Sequence, residues 1–353
     1  FCERHPTGDN CLDCVERHPF QLDDEIRALV DDYRDDFQAE LELATVVTAP
    51  SKALVDVIVR HHPNIDGRIR VLSHASIEDP PPKTAKAARQ RDPKSPIRLV
   101  YWGALQPMKG VHLALEALLS LRERDAFSID IWGTFDGQDP AWETRLRDLV
   151  DKLPAKLRGA FRPTDLPADS YDVAIFPSIC LESWSFTVDE AWARGLPVIV
   201  PDRGAPAERL QGAGTTFAAE SVDGLRLVLV EILKSRRCLE TWRRAIRPPA
   251  PFWNHVQSWD LLYRDALATG PRTAQLDPRR AMHRAATLAR SLSVRDKDSL
   301  HQRGRVQQEV DRAAHLDREL ETRSVVIRAK DQVLDEFNRS LLSLAESVGT
   351  RDT

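Results

Sequence analysis

Several things are scarce in this sequence, and each scarcity excludes a class of protein. No run approaches the roughly 18 apolar residues of a membrane-spanning helix. No basic-plus-apolar leader follows Phe1, and the first residue is not Met. The expectation is therefore a chain that begins inside a longer protein. Five cysteines in 353 residues are too few for a disulfide scaffold and imply a reducing compartment. Neither sign of charge dominates: 50 basic residues face 54 acidic ones, for a net charge of −4. That balance argues for neither nucleic acid nor an anionic membrane as partner. Aromatics are missing from one end. All eight tryptophans lie between Trp102 and Trp259, and Phe337 is the one aromatic after residue 270.

What is present divides the chain. Residues 1–79 are acidic and helix-like and carry three of the five cysteines. A proline-rich basic stretch (80–96) follows; proline continues neither a helix nor a central strand, so it reads as a linker. A middle section (97–252) leads into a helix (253–269) and then an aromatic-poor helical tail (270–353). In the tail, Val306, Ala313, Leu320, Ile327, Leu334, Leu341 and Val348 recur every seven residues. Such a stripe fits a coiled coil, and self-association through residues 300–350 is the expectation, against a long solvated single helix.

The middle alternates strand and helix patterns. Ile97–Trp102 is a short apolar run closed by Gly103 and reads as a buried strand, and Phe127–Trp132, Asp172–Phe176 and Pro197–Val200 read as further strands. Val111–Leu121, Trp142–Leu153, Thr187–Arg194, Ala205–Leu210 and Val222–Lys234 carry helical spacing. The fold class is α/β: a doubly wound parallel sheet covered on both faces. Ligands of that fold bind beyond the carboxyl ends of the strands, so the residues just after those ends are the candidates.

Two stretches qualify. In Gly103-Ala-Leu-Gln-Pro-Met-Lys109-Gly110, glycine permits close backbone approach, the next helix begins with free N–H groups, and Lys109 adds a full charge. That combination suits a phosphate or diphosphate, although the spacing is not that of a Walker loop. In Pro177-Ser-Ile-Cys-Leu-Glu182-Ser-Trp-Ser185-Phe186-Thr187-Val-Asp-Glu190, two carboxylates flank a helix start whose N–H groups form a second anion cradle. Glu182 and Glu190 can face one cleft, yet stand too far apart to act as an acid–base pair on one bond.

These elements resemble the donor-binding domain of GT-B glycosyltransferases, most closely the family-4 type (glycosyltransferase group 1). The resemblance rests on the strand–Gly103…Lys109-Gly110 element, Pro177-Ser178…Glu182-x7-Glu190-Ala191, Gly195-Leu-Pro-Val198, and Glu208 after Gly204, and it covers about residues 40–268. It implies a Rossmann-like donor domain, a nucleotide-sugar donor, and transfer with retention of anomeric configuration. Lys109 and Glu182 then become the catalytic pair, Lys109 at the diphosphate and Glu182 at the donor sugar. Glu190 falls on the ribose hydroxyls, and Ser185, Phe186 and Thr187 with Gly103 and Gly110 fall around the phosphates. A glycan or glycolipid acceptor, a role in surface polysaccharide assembly and a cytoplasmic location, peripheral to the inner face of a membrane, follow by the same analogy. No cofactor is expected beyond the donor substrate. No metal is expected in this domain, because no Asp-x-Asp set follows a strand.

Departures from the family pattern point the other way. Ala104-Leu-Gln106 carries no basic residue where the family often has an arginine, and a serine, Ser183 or Ser185 depending on register, takes the place of a glycine. The alternative is thus a GT-like binding or scaffold module in a multidomain coiled-coil protein. Thr45–Ser51, a helix to His61, and Arg70–Ser76 resemble the last strand–helix–strand of the family's N-terminal (acceptor) domain. With the rest of that domain absent, the expectation is little activity from this chain alone. Separately, Cys2, Cys11, Cys14 and His18 can supply a tetrahedral zinc site, though the spacing matches no standard finger. Reduced loop cysteines or a disulfide remain the other readings. His5, His61, His62 and His74 form no constellation and read as surface or packing residues.

Overall fold

The computed structural model describes residues 30–75, 95–135, 139–161, 166–167 and 170–270. All of them lie in one compact unit. The Cys2/Cys11/Cys14/His18 cluster, most of the 80–96 linker and the heptad tail lie outside the described residues.

The N-terminal piece is small. Helix α1 (Val30–Leu43) leads into strand β1 (Val47–Ala49), helix α2 (Lys52–His61) and strand β2 (Ile69–Val71). β1 and β2 pair in parallel, Val47 opposite Ile69. This is the strand–helix–strand expected from the sequence. Ser51 caps α2 by accepting the Leu54 N–H at 3.2 Å, as a short hydroxyl before a helix does.

The larger body begins with β3 (Ile97–Trp102), α3 (Val111–Leu119), β4 (Phe127–Trp132), α4 (Pro140–Val150) and β5 (Ala155–Gly159). It continues with β6 (Val173–Ile175), α5 (Phe186–Ala193), β7 (Val198–Pro201), α6 (Gly204–Arg209) and β8 (Gly214–Phe217). Helices α7 (Val222–Lys234), α8 (Arg237–Ala245) and α9 (Phe252–Thr269) complete it. Six strands form one parallel sheet in the order β5-β4-β3-β6-β7-β8. The central strands β6 and β7 are buried along their whole length, which is why they read as unbroken apolar runs and not as alternating ones. β5, β8 and α8 escape sequence reading. Ala155-Lys-Leu-Arg-Gly159 and Gly214-Thr-Thr-Phe217 are short edge strands of mixed polarity, held by pairing with β4 and β7.

Helix α3 is buried along most of its length. Val111, Ala114, Leu115 and Leu118 are buried, and the helix packs against α7 and α4. Full burial of a leucine side chain contributes about 1.5–3 kcal/mol.

The strand order places one reversal in the sheet, between β3 and β6, where the chain turns from building one half to building the other. A crevice opens beyond the carboxyl ends of such neighbours. The 103–110 and 177–190 stretches leave β3 and β6 at that point.

Candidate active site

The two candidate stretches meet back to back. A short 3-10 turn (Pro107–Lys109) follows β3, and Met108 O accepts the N–H of Ile179 at 2.9 Å. Gly110 has φ +68° and lies against Pro177; a Cβ built there would stand 1.9 Å from the Pro177 carbonyl oxygen. A side chain at 110 would therefore drive the two loops apart. The glycine noticed in the sequence is needed for loop-to-loop packing, in addition to any approach by a ligand.

Lys109 Nζ then reaches Glu182 Oε1 at 2.7 Å, and Ser178 Oγ donates to the same oxygen at 2.8 Å. The Lys109 side chain is 35% exposed and that of Glu182 17%. An ion pair this open contributes about 0.2–1 kcal/mol, whereas a diphosphate offers several charge-assisted bonds. A ligand of that charge can take Lys109 away from Glu182 at small cost. Cys180 is half-buried beside this pair, and burial raises its thiol pKa, so it is protonated at neutral pH.

Glu190 is held from the other side. Trp102, the last residue of β3, donates its indole N–H to Glu190 Oε2 at 2.6 Å. Glu190 is thereby tied to the last residue of β3, and Glu182 to Lys109 in the loop that follows it. Ser178, which holds Glu182, belongs to the Pro177-Ser178 element already noticed, whereas Trp102, which holds Glu190, carries no motif and is marked only by its place at the end of β3.

Between the glutamates, Ser185 takes the left-handed conformation (φ +70°, ψ 87°) just before α5. That geometry makes Ser185, not Ser183, the residue standing at the glycine-like position. A residue with a Cβ is strained there by roughly 1–2 kcal/mol. Ser185 Oγ and Thr187 Oγ1 lie 3.0 Å apart. The first N–H groups of α5, from Phe186 and Thr187, have no helix carbonyl to serve and bear the positive end of the helix dipole.

Glu208 does not join this group. Its carboxylate accepts the N–H of Lys52 at 3.0 Å and of Ala53 at 2.7 Å, so it caps α2 of the N-terminal piece. Ser51 Oγ donates to Ser183 O at 2.9 Å beside it. His74 also has a fuller role than its isolation in the sequence implies. Its ring packs at 5.6 Å from Trp184, 5.3 Å from Phe186 and 5.7 Å from His255. Burial lowers its pKa, with His255 and Arg209 adding to the effect. His255 is itself fixed: Nδ1 donates to Ser73 O at 2.9 Å and Nε2 accepts from Trp259 Nε1 at 2.9 Å. Among the described residues no group of three His, Cys, Asp or Glu side chains could hold a metal ion, and no helix is long and apolar enough to cross a membrane.

A parallel sheet with its reversal between β3 and β6 defines a Rossmann-like domain. Residues 96–235 match the model of the family described as glycosyl transferases group 1. Solved structures share the fold. A glycosyltransferase from Rickettsia africae is 17% identical, with 68% of each chain covered and a TM-score of 0.55. Sucrose-phosphate synthase from Thermosynechococcus elongatus is 19% identical, covering 70% of this chain and 63% of its own, with a TM-score of 0.55. The Anabaena protein HepE in complex with UDP is 16% identical, covering 66% and 68%, with a TM-score of 0.51. No curated protein matches in sequence.

Proposed function

We propose that this chain carries the nucleotide-sugar-binding half of a retaining glycosyltransferase. The observation that carries the proposal is the convergence of Lys109, Glu182 and the start of α5 at the β3/β6 crevice. The hard step in sugar transfer is departure of a nucleoside diphosphate. Negative charge builds on its oxygens, and a lysine with preorganised N–H donors lowers that barrier. In this reading Lys109 and the N–H groups of Phe186 and Thr187 meet the diphosphate, and Gly103 and Gly110 let the backbone come close. Glu182, released from Lys109, turns to the hydroxyls of the donor sugar. Glu190, oriented by Trp102, accepts from the ribose hydroxyls. The acceptor is a glycan or glycolipid, reached from the side of the N-terminal piece, and the setting is surface polysaccharide assembly on the cytoplasmic face of a membrane.

Titration calorimetry with UDP, GDP and ADP tests this. UDP comes first because the HepE structure contains it. One nucleotide should bind, and Lys109→Ala should weaken it by about 1.5–3 kcal/mol, the scale of a hydrogen bond to a charged group. Binding unchanged by Lys109→Ala would remove the lysine from the diphosphate site. A scaffold module is the second reading, favoured by the absence of a basic residue at 104–106 and by serine at position 185. It requires that none of the three nucleotides bind.

A further inference from the structure

Strain at Ser185 needs something to hold it, because a residue with a side chain leaves the left-handed region unless its surroundings over-determine it. The holding groups converge on one guanidinium. Arg209, the last residue of α6, donates Nη1–H to Trp184 O at 2.9 Å, the carbonyl that directly precedes Ser185. Its Nη2 pairs with the Asp189 carboxylate one turn into α5. Its plane lies over the Trp184 ring, 3.4 Å from the centroid. Trp184 Nε1 closes the circuit by donating to Asp189 Oδ2 at 2.7 Å. The two charged side chains are 12% and 4% exposed, so the pair is buried among the aromatic rings. An ion pair that deep is poor evidence for stability, but it can hold one geometry against others. A planar fork that serves a carbonyl, a carboxylate and a ring face together is something arginine can do and lysine cannot.

We infer that Arg209 is a positioning residue for the donor-binding turn: by gripping Trp184 and Asp189 on either side of Ser185, it keeps the first N–H groups of α5 set for an anionic ligand. Arg209 touches no ligand in this scheme and acts through residues 184–189. The neighbouring residue, Glu208, caps α2, so one turn of α6 braces both the turn and the N-terminal piece. The inference rests on the proposed donor site for its ligand, but not for its geometry.

A cycle of Arg209→Met and Ser185→Gly in the full chain tests it. Glycine enters the left-handed region without strain, so the turn then depends less on Arg209. With Ser185 present, Arg209→Met should weaken binding of the nucleotide identified by calorimetry by about tenfold, the scale of one charge-assisted contact. In the Ser185→Gly background the loss should shrink to about two- to threefold. A merely structural arginine gives the same loss in both backgrounds, and that result, or no loss at all, overturns the inference. Melting temperatures give a readout free of ligand. Ser185→Gly should be more favourable by about 2–4 °C when Arg209 is present, because only then is there strain to relieve. If no nucleotide binds, the donor-site reading fails and this second readout alone decides; equal shifts with and without Arg209 refute the positioning role. Should Arg209→Met not fold, Arg209→Lys keeps the buried charge, loses the fork, and carries the same cycle.

Discussion

Replacing Gly110 by alanine tests the contact on which the whole site depends. Two costs add at this position. The backbone angle, φ +68°, lies in the left-handed region and strains an alanine by roughly 1–2 kcal/mol. The new Cβ would also fall 1.9 Å from Pro177 O and 2.9 Å from Pro177 C, both backbone atoms that cannot swing aside. Overpacking of this kind costs about 1–3 kcal/mol as the surroundings shift. The expected loss is therefore about 2–5 kcal/mol, or a fall in Tm of about 4–20 °C for a body of this size. Gly195 is the matched control. Its φ is +71° and nothing lies within 4 Å of its would-be Cβ, so Gly195→Ala carries the backbone term alone. Urea denaturation, followed by the tryptophans that all lie in residues 102–259, reports both variants. Gly110→Ala should be worse than Gly195→Ala by about 1–3 kcal/mol, the overpacking term, and should also lose nucleotide binding. A difference under about 0.5 kcal/mol, within the extrapolation error, would mean that the loops after β3 and β6 do not meet there.

Three further outcomes follow from other contacts. Glu208→Ala removes the carboxylate cap of α2 and should cost about 0.5–2 kcal/mol, with faster amide exchange at Lys52 and Ala53; unchanged exchange at those two amides would show that the N-terminal piece is not held this way. Trp102→Phe removes the hydrogen bond to Glu190 while keeping most of the ring, and should weaken nucleotide binding by about 0.5–1.5 kcal/mol; equal affinity would take Trp102 out of the site. Burial pushes the pKa values of His74 and His112 below 6.5, so as pH falls through that value the unfolded chain gains protons that the folded chain resists. These histidines thus leave stability intact above pH 6.5 and reduce it below, and the slope of Tm against pH should flatten in a His74→Gln/His112→Gln double variant. The same slope in that variant would assign acid lability to other groups.

The central strands were legible because burial on both faces demands unbroken apolar runs, and Leu99, Val173 and Ile199 supply them. The helices between them showed through their spacing, to within a residue or two at most ends. Lys109 and Glu182 stood out because they lie in the loops between a strand and the next helix start, and Glu190 because it follows Glu182 about one turn into that helix. β5 and β8 did not show: a short edge strand owes its form to the neighbour it pairs with, and its own residues need not be apolar. The Arg209–Asp189 pair did not show either. Its members are 20 residues apart, on helices separated by a strand, and no local periodicity links them.

The sequence alone therefore determined the alternation of elements, the class of sheet and the chemical types gathered near the strand ends, since these follow from local patterns of burial and charge. Tertiary structure alone decided the partnerships: Lys109 with Glu182, Trp102 with Glu190, Glu208 with α2 instead of the crevice, and Ser185 held in a strained turn by Arg209. Each of these joins segments far apart in the chain, and side-chain geometry at that range is set by the packing of the sheet and its helices, which no short stretch of sequence contains.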